Sequence, residues 1–531
     1  MHRGDHPQVL WRTTDMPLRR RLGVVRMRRA LLVIAVGLAT LMAAAWPATG
    51  ASHSSGVGSV PKPSAADRVD RVDFNGDGFD DLAIGAAGEG VGGQESAGAV
   101  DILYGSASGL VGTDQLLTQA NPERLDLFGL AVAKGDFNAD GFTDLAVGAP
   151  WEAVGARELA GAVNIFYGSA NGLASTSQVL LQTNLEPRDM FGQALDAGLF
   201  NDDDVMDLAV GAPGEDVGTA DDAGAVNVFY GAAGGLSGAS QVLLQANPEA
   251  GDRFGGALVA GFFNDNQGDL AVGAPGEQLG AASLAGAVNV FYGTPPGLPG
   301  TSQVLLQANP EAGDQFGSAL AAGFFDNDLW YDLAVGAPGE TVGGKRDAGA
   351  VTVFFGSASQ LAGTGQTFLQ GPGTGGIPEV DDLFGLALAA GPFDAGPWDL
   401  AVGAPGEDFG VTPNAGAINV LYGSASGLVG RDQLLTQDSP GVPGTAEADD
   451  YVGGDLARGI FFNNFNGDDF ADLAIGTGRE DVGTTADAGA VNVLYGSAAG
   501  LPGTGGQLFT QDSSGVGGTA EPGDSFGASL D

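Results

Sequence analysis

The sequence predicts an all-β protein, a seven-bladed β-propeller of four-stranded antiparallel blades preceded by a signal peptide. Three observations carry that prediction. First, an acidic loop running into a short apolar strand, Asp73–Glu89 (DFNGDGFDDLAIGAAGE), returns six more times. Second, the Gly-Ala steps of the seven copies begin at Gly85, Gly148, Gly211, Gly273, Gly336, Gly403 and Gly476, spaced by 63, 63, 62, 63, 67 and 73 residues. A period of this kind marks one supersecondary unit copied about an axis. Third, each period holds four short apolar segments bounded by Gly, Pro, Asn or Asp, as strands separated by turns are.

The unit is clearest between Asp252 and Glu311. Its segments are FGGALVAGFF from Phe254, DLAVGAP from Asp269, GAVNVFYG from Gly286 and QVLLQ from Gln303. Each is too short for a helix in such a Gly-rich setting. In the third, Val288, Val290 and Tyr292 alternate with Asn289 and Phe291, the period of a strand with two distinct faces. Four such strands repeated seven times fit a closed propeller better than the alternative, an open β-solenoid. The ends of the chain fit closure as well. Asp524–Asp531 (DSFGASLD) reads as a first strand with no unit after it, while the unit at Asp73 lacks that strand. The C-terminal residues are therefore expected to complete the first blade, a truncated reading frame being the alternative.

Ahead of the repeats, residues 1–51 read as a signal peptide and 52–66 (SHSSGVGSVPKPSAA) as a flexible linker, leaving 67–531 for the propeller. Arg19–Arg21, Arg26, Arg28 and Arg29 precede an apolar run, Ala30–Ala45, shorter than the roughly 20 residues of a spanning helix. Small residues at Ala48, Gly50 and Ala51 offer a cleavage site; a retained anchor is the alternative, and Met27 is a second candidate start. The mature chain is expected to be secreted or at the cell surface, without a membrane span. The Arg3-Gly4-Asp5 triplet lies upstream of the export signal and carries no weight.

The formal charge is −44, and loss of residues 1–50, with eight Arg and two Asp, takes it to −50. Such a surface repels nucleic acid and favours cationic partners or divalent metal. There is no Cys, and the three His lie at 2, 6 and 53. Ser-His-Asp and Cys-His catalysis and ordinary zinc sites are thereby closed to the repeats.

Phe-Gly at Phe128, Phe191, Phe254, Phe316 and Phe384, each followed by Gly-Ala-Pro at Gly148, Gly211, Gly273, Gly336 and Gly403, resembles the FG-GAP repeat family, and among its members the N-terminal propellers of integrin α chains. The resemblance spans residues 67–531. The seventh unit departs from it, with Tyr451-Val452-Gly453 and Gly476-Thr477-Gly478 in place of the two signatures. Nothing similar to the other domains of an integrin is present.

The acidic loops read as candidate Ca²⁺ sites. In the first, Asp73, Asn75 and Asp77 stand at positions 1, 3 and 5, Gly78 at 6, the Phe79 carbonyl at 7 and Asp81 at 9. Alternate oxygen side chains and one carbonyl suit a hard cation that takes 6–8 oxygens, and Gly at 6 permits the turn. The second loop offers Asp136, Asn138, Asp140, Phe142 and Asp144. The seventh offers Asn464, Asn466, Asp468, Phe470 and Asp472, with Asp469 expected in a left-handed conformation at position 6. The remaining four are degraded: Leu199 and Phe324 replace the first ligand, and the loops from Phe262 and Pro392 are one residue short.

In an up-and-down blade the 1–2 and 3–4 loops share one face and the 2–3 and 4–1 loops the other. The resemblance implies that a protein or carbohydrate ligand engages the second face. There Trp151 replaces a small residue and Lys345-Arg346 interrupts the acids; Trp330 and Trp398 sit in degraded metal loops and are expected to fill space. The expected function is a calcium-binding binding or adhesion module, monomeric and not an enzyme. The alternative is a carboxylate-dependent extracellular hydrolase or lyase acting on glycans.

Overall fold

The computed structural model describes residues 72–531 apart from 202, 239, 265–266, 457–462 and 502–504. The signal-peptide and linker expectations lie outside the described residues. The described residues form 28 strands in seven four-stranded antiparallel sheets, with no helix among them. In the fourth blade, Ala257–Gly261, Asp269–Ala274, Ala287–Phe291 and Gln303–Leu305 follow one another in sheet order, and the other blades repeat this.

The first blade is assembled from both ends of the chain. Phe526–Leu530 is its inner strand and pairs antiparallel with Leu82–Ala86, Ile84 facing Leu530 and Gly85 facing Ser529. The C-terminal residues thus complete the blade, as their sequence implies. Lys134 Nζ of the second blade lies 2.9 Å from Asp531 Oδ1, and both side chains are buried. Ser529 Oγ donates to Gly129 O at 2.6 Å across the same junction.

Second and third strands are buried along their whole length, in contrast to the alternation of the third segment. Both faces of a blade are covered by neighbouring blades, so polar residues on one face must find partners there. Asn289 does so by accepting from Ser302 Oγ at 3.1 Å. Phe291 instead meets the Phe-Gly phenylalanine of its own blade, Phe254, edge to face at 6.0 Å, and the pairs 128–166, 191–229 and 316–354 repeat this. Fourth strands show a wet face, as at Val179, Val242 and Val304.

The two glycine signatures meet between blades. A Cβ on Gly148 would fall 2.1 Å from the carbonyl oxygen of Gly192 in the next blade. The same approach joins Gly85 to Gly129, Gly211 to Gly255, Gly273 to Gly317, Gly336 to Gly385 and Gly403 to Gly453. The seventh, Gly476 to Gly527, joins the last blade to the C-terminal strand of the first and closes the ring. Only glycine allows backbones this close, which explains why both motifs recur in register. Around the axis the inner strands of all seven blades line a cavity of about 130 Å³, walled by Val132, Leu195, Leu258, Leu320, Leu388 and Leu530 among others.

Gly148→Ala is expected to destabilise the protein by about 1–3 kcal/mol in a denaturant titration, because backbone must shift to admit the methyl group. Gly238→Ala, exposed with no atom within 4 Å of the new Cβ, should stay within about 0.5 kcal/mol.

Candidate functional site

The 1–2 and 3–4 loops do share a face. Ser106 N, after the third strand of the first blade, donates to Phe465 O in the seventh acidic loop at 3.2 Å, and Ser169 N to Phe74 O at 3.2 Å. Around the ring the seventh, first and second acidic loops are neighbours. Asn464 N donates to Asp80 Oδ2 at 2.8 Å, and Thr143 N to Asp73 O at 3.2 Å. The Phe79 ring covers Gly467, and the Phe142 ring covers Gly76. The three loops with the fullest complement of oxygen ligands therefore form one continuous arc, astride the junction where the chain ends meet.

Within the first loop, Asp73 accepts from the amides of Gly76, Asp77 and Gly78 at 2.6–3.0 Å. Asn75 Oδ1 accepts from Asp77 N, and Asp77 Oδ1 from Phe79 N. Gly78 is left-handed (φ 95°) as position 6 requires. The second loop repeats these contacts at Asp136, Asn138, Asp140 and Phe142, with Gly141 at φ 92°. The seventh differs from its sequence expectation. Asn466 and Asp468 keep their places, with Phe470 N donating to Asp468 Oδ1, but Asp469 does not adopt a left-handed φ. Asn464 is the reason: its amide nitrogen donates to Asp468 O at 2.5 Å, where Asp73 and Asp136 accept from the position-6 amide.

Position 9 has a role that its reading as a metal ligand misses. Asp81 accepts from Phe74 N at 2.8 Å and from Gly105 N at 2.9 Å, tying its own loop to the end of the third strand. Asp144, Asp207, Asp269, Asp332, Asp399 and Asp472 make the same pair of contacts in the other blades, whether or not the loop keeps its other ligands. All seven are buried. The signal was present in the sequence, since this Asp recurs in every copy. Burial pushes the Asp81, Asp144 and Asp472 carboxyls up to about 8 despite the backbone amides, and neighbouring acids add to the rise.

The residues fit a hard cation in two respects. Every side-chain ligand in the first two loops is an oxygen, and Asp81 and Asp144, raised chiefly by burial and further by the neighbouring acids, lie where a divalent ion would favour the charged carboxylate. In the seventh loop Asn464 Oδ1 is buried without a hydrogen-bond partner, an acceptor suited to an ion. Sequence reasoning passed over one further group. Among the described residues, Asp326, Asp328 and Asp332 of the fifth loop bring three carboxylates within 4.8 Å of one another, although Phe324 holds the first position.

On the opposite arc, aromatic packing joins the loops. The Phe324 ring lies 4.3 Å from Tyr331 and 5.7 Å from Trp398, and Phe262 packs on Tyr331 at 5.8 Å. Trp398 thus fills space between the fifth and sixth loops, as expected.

The other face carries a second repeated element. Where a fourth strand ends, a Gln donates its amide to the Glu that follows the Gly-Ala step of the next blade: Gln119 to Glu152, Gln245 to Glu277, Gln370 to Glu407, Gln437 to Glu480 and Gln511 to Glu89, at 2.6–2.9 Å. A buried Asp stands beside each, as Asp382 does by Glu407. Burial raises Glu407 and Glu480 to about 7, as it does Asp189 and Asp524, with neighbouring carboxylates adding to it. Asp126 and Glu152 are neighbouring acids that interact, and both are raised, chiefly by burial. Trp151 is half-buried beside them, its amide donating to Asp126 O at 3.3 Å. Arg346 pairs with Asp347 and Asp381 at 3.0 and 3.2 Å.

This architecture is a seven-bladed β-propeller, and FG-GAP repeats are found in its sequence. The family model for the FG-GAP repeat matches residues 67–103, 128–164 and 316–354. In sequence, the chain is similar to phosphatidylinositol-glycan-specific phospholipase D of Bos taurus, 37% identical over 150 residues, covering 27% of this chain and 18% of that protein. It is also similar to integrin alpha-PS2 of Drosophila melanogaster (39% over 158 residues, 27% and 11%) and integrin alpha-3 of Mus musculus (34% over 146 residues, 27% and 13%). The matches thus span less than a fifth of these relatives. Among solved structures, the periplasmic gluconolactonase of Pseudomonas aeruginosa matches with a TM-score of 0.45 at 13% identity, covering 84% of this chain and 97% of that one.

The expectation that the chain is not an enzyme is corrected by these comparisons. Repeats of this kind occur in a relative named as a phospholipase D. The lack of His and Cys closes particular mechanisms, and chemistry by carboxylates remains open to so acidic a body. No helix of the described residues is long and apolar enough to cross a membrane.

Two outcomes are expected. Asp269→Ala, in a loop that lacks the full ligand set, strands the amides of Phe263 and Gly293 and should cost roughly 2–5 kcal/mol in a denaturant titration. The pH dependence follows from the acids raised on the opposite face, such as Glu407, Glu480 and Asp189. Folding favours their protonated forms, so their contribution is present in acid and lost as pH rises through about 7. In chelator, the melting temperature should be higher near pH 5 than near pH 8.

Proposed function

We propose that this chain is a calcium-binding propeller that acts outside the cell, secreted or surface-bound, as a protein- or glycan-recognition module. The observation that carries this reading is the arc of three adjacent acidic loops on one face. Calcium would be held by Asp73, Asn75, Asp77, Phe79 O and Asp81; by Asp136, Asn138, Asp140, Phe142 O and Asp144; and by Asn464, Asn466, Asp468, Phe470 O and Asp472. The ion would supply fixed positive charge. The loop residues themselves set the geometry: Asp81, Asp144 and Asp472 hold loop to sheet, while Phe79 and Phe142 hold loop to loop. Braced in this way, a monomeric disc presents its 2–3 and 4–1 loops as a rigid surface, acidic in character and suited to cationic ligands. The FG-GAP match and the similarity to integrin α chains support recognition as the role. The apolar run at Ala30–Ala45 supports export.

A second reading, a carboxylate-dependent hydrolase or lyase acting on glycans, is favoured by one observation. Asp126 and Glu152 are neighbouring acids, both raised chiefly by burial, beside the half-buried Trp151, and such a pair can hold one proton between two acids.

Titration with Ca²⁺ in a calorimeter should show binding in the range of about 10⁻⁴–10⁻³ M typical of extracellular modules. Chelation should lower the melting temperature, and Asp77→Ala with Asp140→Ala should abolish most of that calcium-dependent shift. A melting temperature indifferent to calcium, with no heat of binding, would count against the reading.

A further inference from the structure

On the face of the 2–3 and 4–1 loops, the most exposed large apolar residues among those described gather at the sixth blade. In every blade the 2–3 loop ends in a tight hairpin: 91–94, 154–157, 217–220, 279–282, 342–345, 409–412 and 482–485. The third residue of that hairpin is Gly93, Ala156, Thr219, Ala281 and Gly344 in the first five blades and Thr484 in the seventh. In the sixth it is Val411, whose side chain is 100% exposed. The hairpin opens on Phe409 where the others carry Val or Leu, and Phe409 is itself exposed. Beside it runs the lengthened 4–1 loop from the fifth blade, which brings Ile377, 71% exposed, and Val380, 49% exposed. The stems of the two loops are fixed against each other. Gly406 N donates to Asp382 O at 3.1 Å, and Gln370 Nε2, at the base of the long loop, donates to Glu407 Oε2 at 2.6 Å. Glu379, Asp408 and Asp449 flank the apolar residues, Asn414 Nδ2 holding Asp449 in place at 2.7 Å, while Asp381 is already paired with Arg346 at 3.2 Å.

Val411 and Ile377 stand largely in water on two interlocked loops, with Phe409 and Val380 partly exposed beside them, and no packing role explains the first two. Their acidic rim specifies the complement. We propose that this apolar patch of the sixth blade is the contact site for a polypeptide partner that presents a Leu- or Phe-sized side chain between basic residues. The apolar group would be buried against Val411 and Ile377 while its flanking cations meet the acidic rim, the arrangement of an apolar hot spot within a charged border. This inference rests on the reading of the 2–3 and 4–1 face as the recognition surface.

The test uses the full chain in calcium and three labelled synthetic peptides, followed by fluorescence polarisation. One has a central Leu flanked by Lys, the second replaces Leu with Ser, and the third replaces Lys with Glu. The Lys-Leu peptide should bind at least about tenfold tighter than either of the others. Val411→Ser and Ile377→Ser, both at exposed positions with no folding role, should each weaken it by about tenfold. Equal binding of the Leu and Ser peptides would overturn the proposal, since charge alone would then suffice. So would wild-type binding by both variants. If those variants bind normally while Trp151→Ala does not, the sixth-blade site fails and the face stands. If no substitution on this face matters, or if the variants alter glycan binding alone, the polypeptide site is refuted.

Discussion

The structure depends on seven places where two backbones meet with no side chain between them. Each Gly-Ala glycine faces the carbonyl of a Phe-Gly glycine in the next blade, and a methyl group on it would sit 2.0–2.1 Å from that oxygen. The spacing between blades is set there, and the phenylalanine before the glycine is held against the third strand by an edge-to-face contact in the second to fifth blades. Because the seventh contact, Gly476 to Gly527, involves the C-terminal strand, the same constraint that spaces the blades also closes the ring. Both glycine motifs act as packing devices.

A second constraint joins each acidic loop to its sheet. The position-9 aspartate accepts two backbone amides in all seven blades, including those whose first ligand position is Leu or Phe. The hairpin is therefore built the same way everywhere, and capacity for metal is an addition to it. The fullest complement of oxygen ligands lies in the arc of the seventh, first and second blades, where the C-terminal strand enters, with the carboxylate trio of the fifth loop apart from it. Across the ring, Phe262, Phe324, Tyr331 and Trp398 join neighbouring loops by aromatic contact. Charge on one arc and apolar packing on the other serve the same end.

Most of the fold was legible in the sequence because a repeat multiplies every signal seven times. The period, the four strands and completion of the first blade by Asp524–Asp531 all followed from it. The features that were not legible depend on what faces a residue from another blade. The alternation of the third strand marked two distinct faces, but not that neighbouring blades cover both. Asp469 was expected to be left-handed by analogy with Gly78, and the side chain at the first position, Asn464, instead determines the turn. The carboxylate trio of the fifth loop was discounted because Phe324 lacks an oxygen, although Asp326, Asp328 and Asp332 approach one another. The recurrence of Asp at position 9 was visible, but a ligand and a structural acceptor leave the same mark in sequence. The exposed side chains of the sixth blade escaped notice because exposure is not written in the chain.

We propose that calcium acts as a clasp over one arc of the ring, which the other arc does not need. Amide hydrogen exchange with and without calcium tests this directly. Calcium should slow exchange in 73–81, 136–144 and 464–472 and in the closing strand Phe526–Leu530, leaving the acidic loops of the third, fourth and sixth blades unchanged. Uniform slowing around the ring, or no change in the three loops, would contradict it.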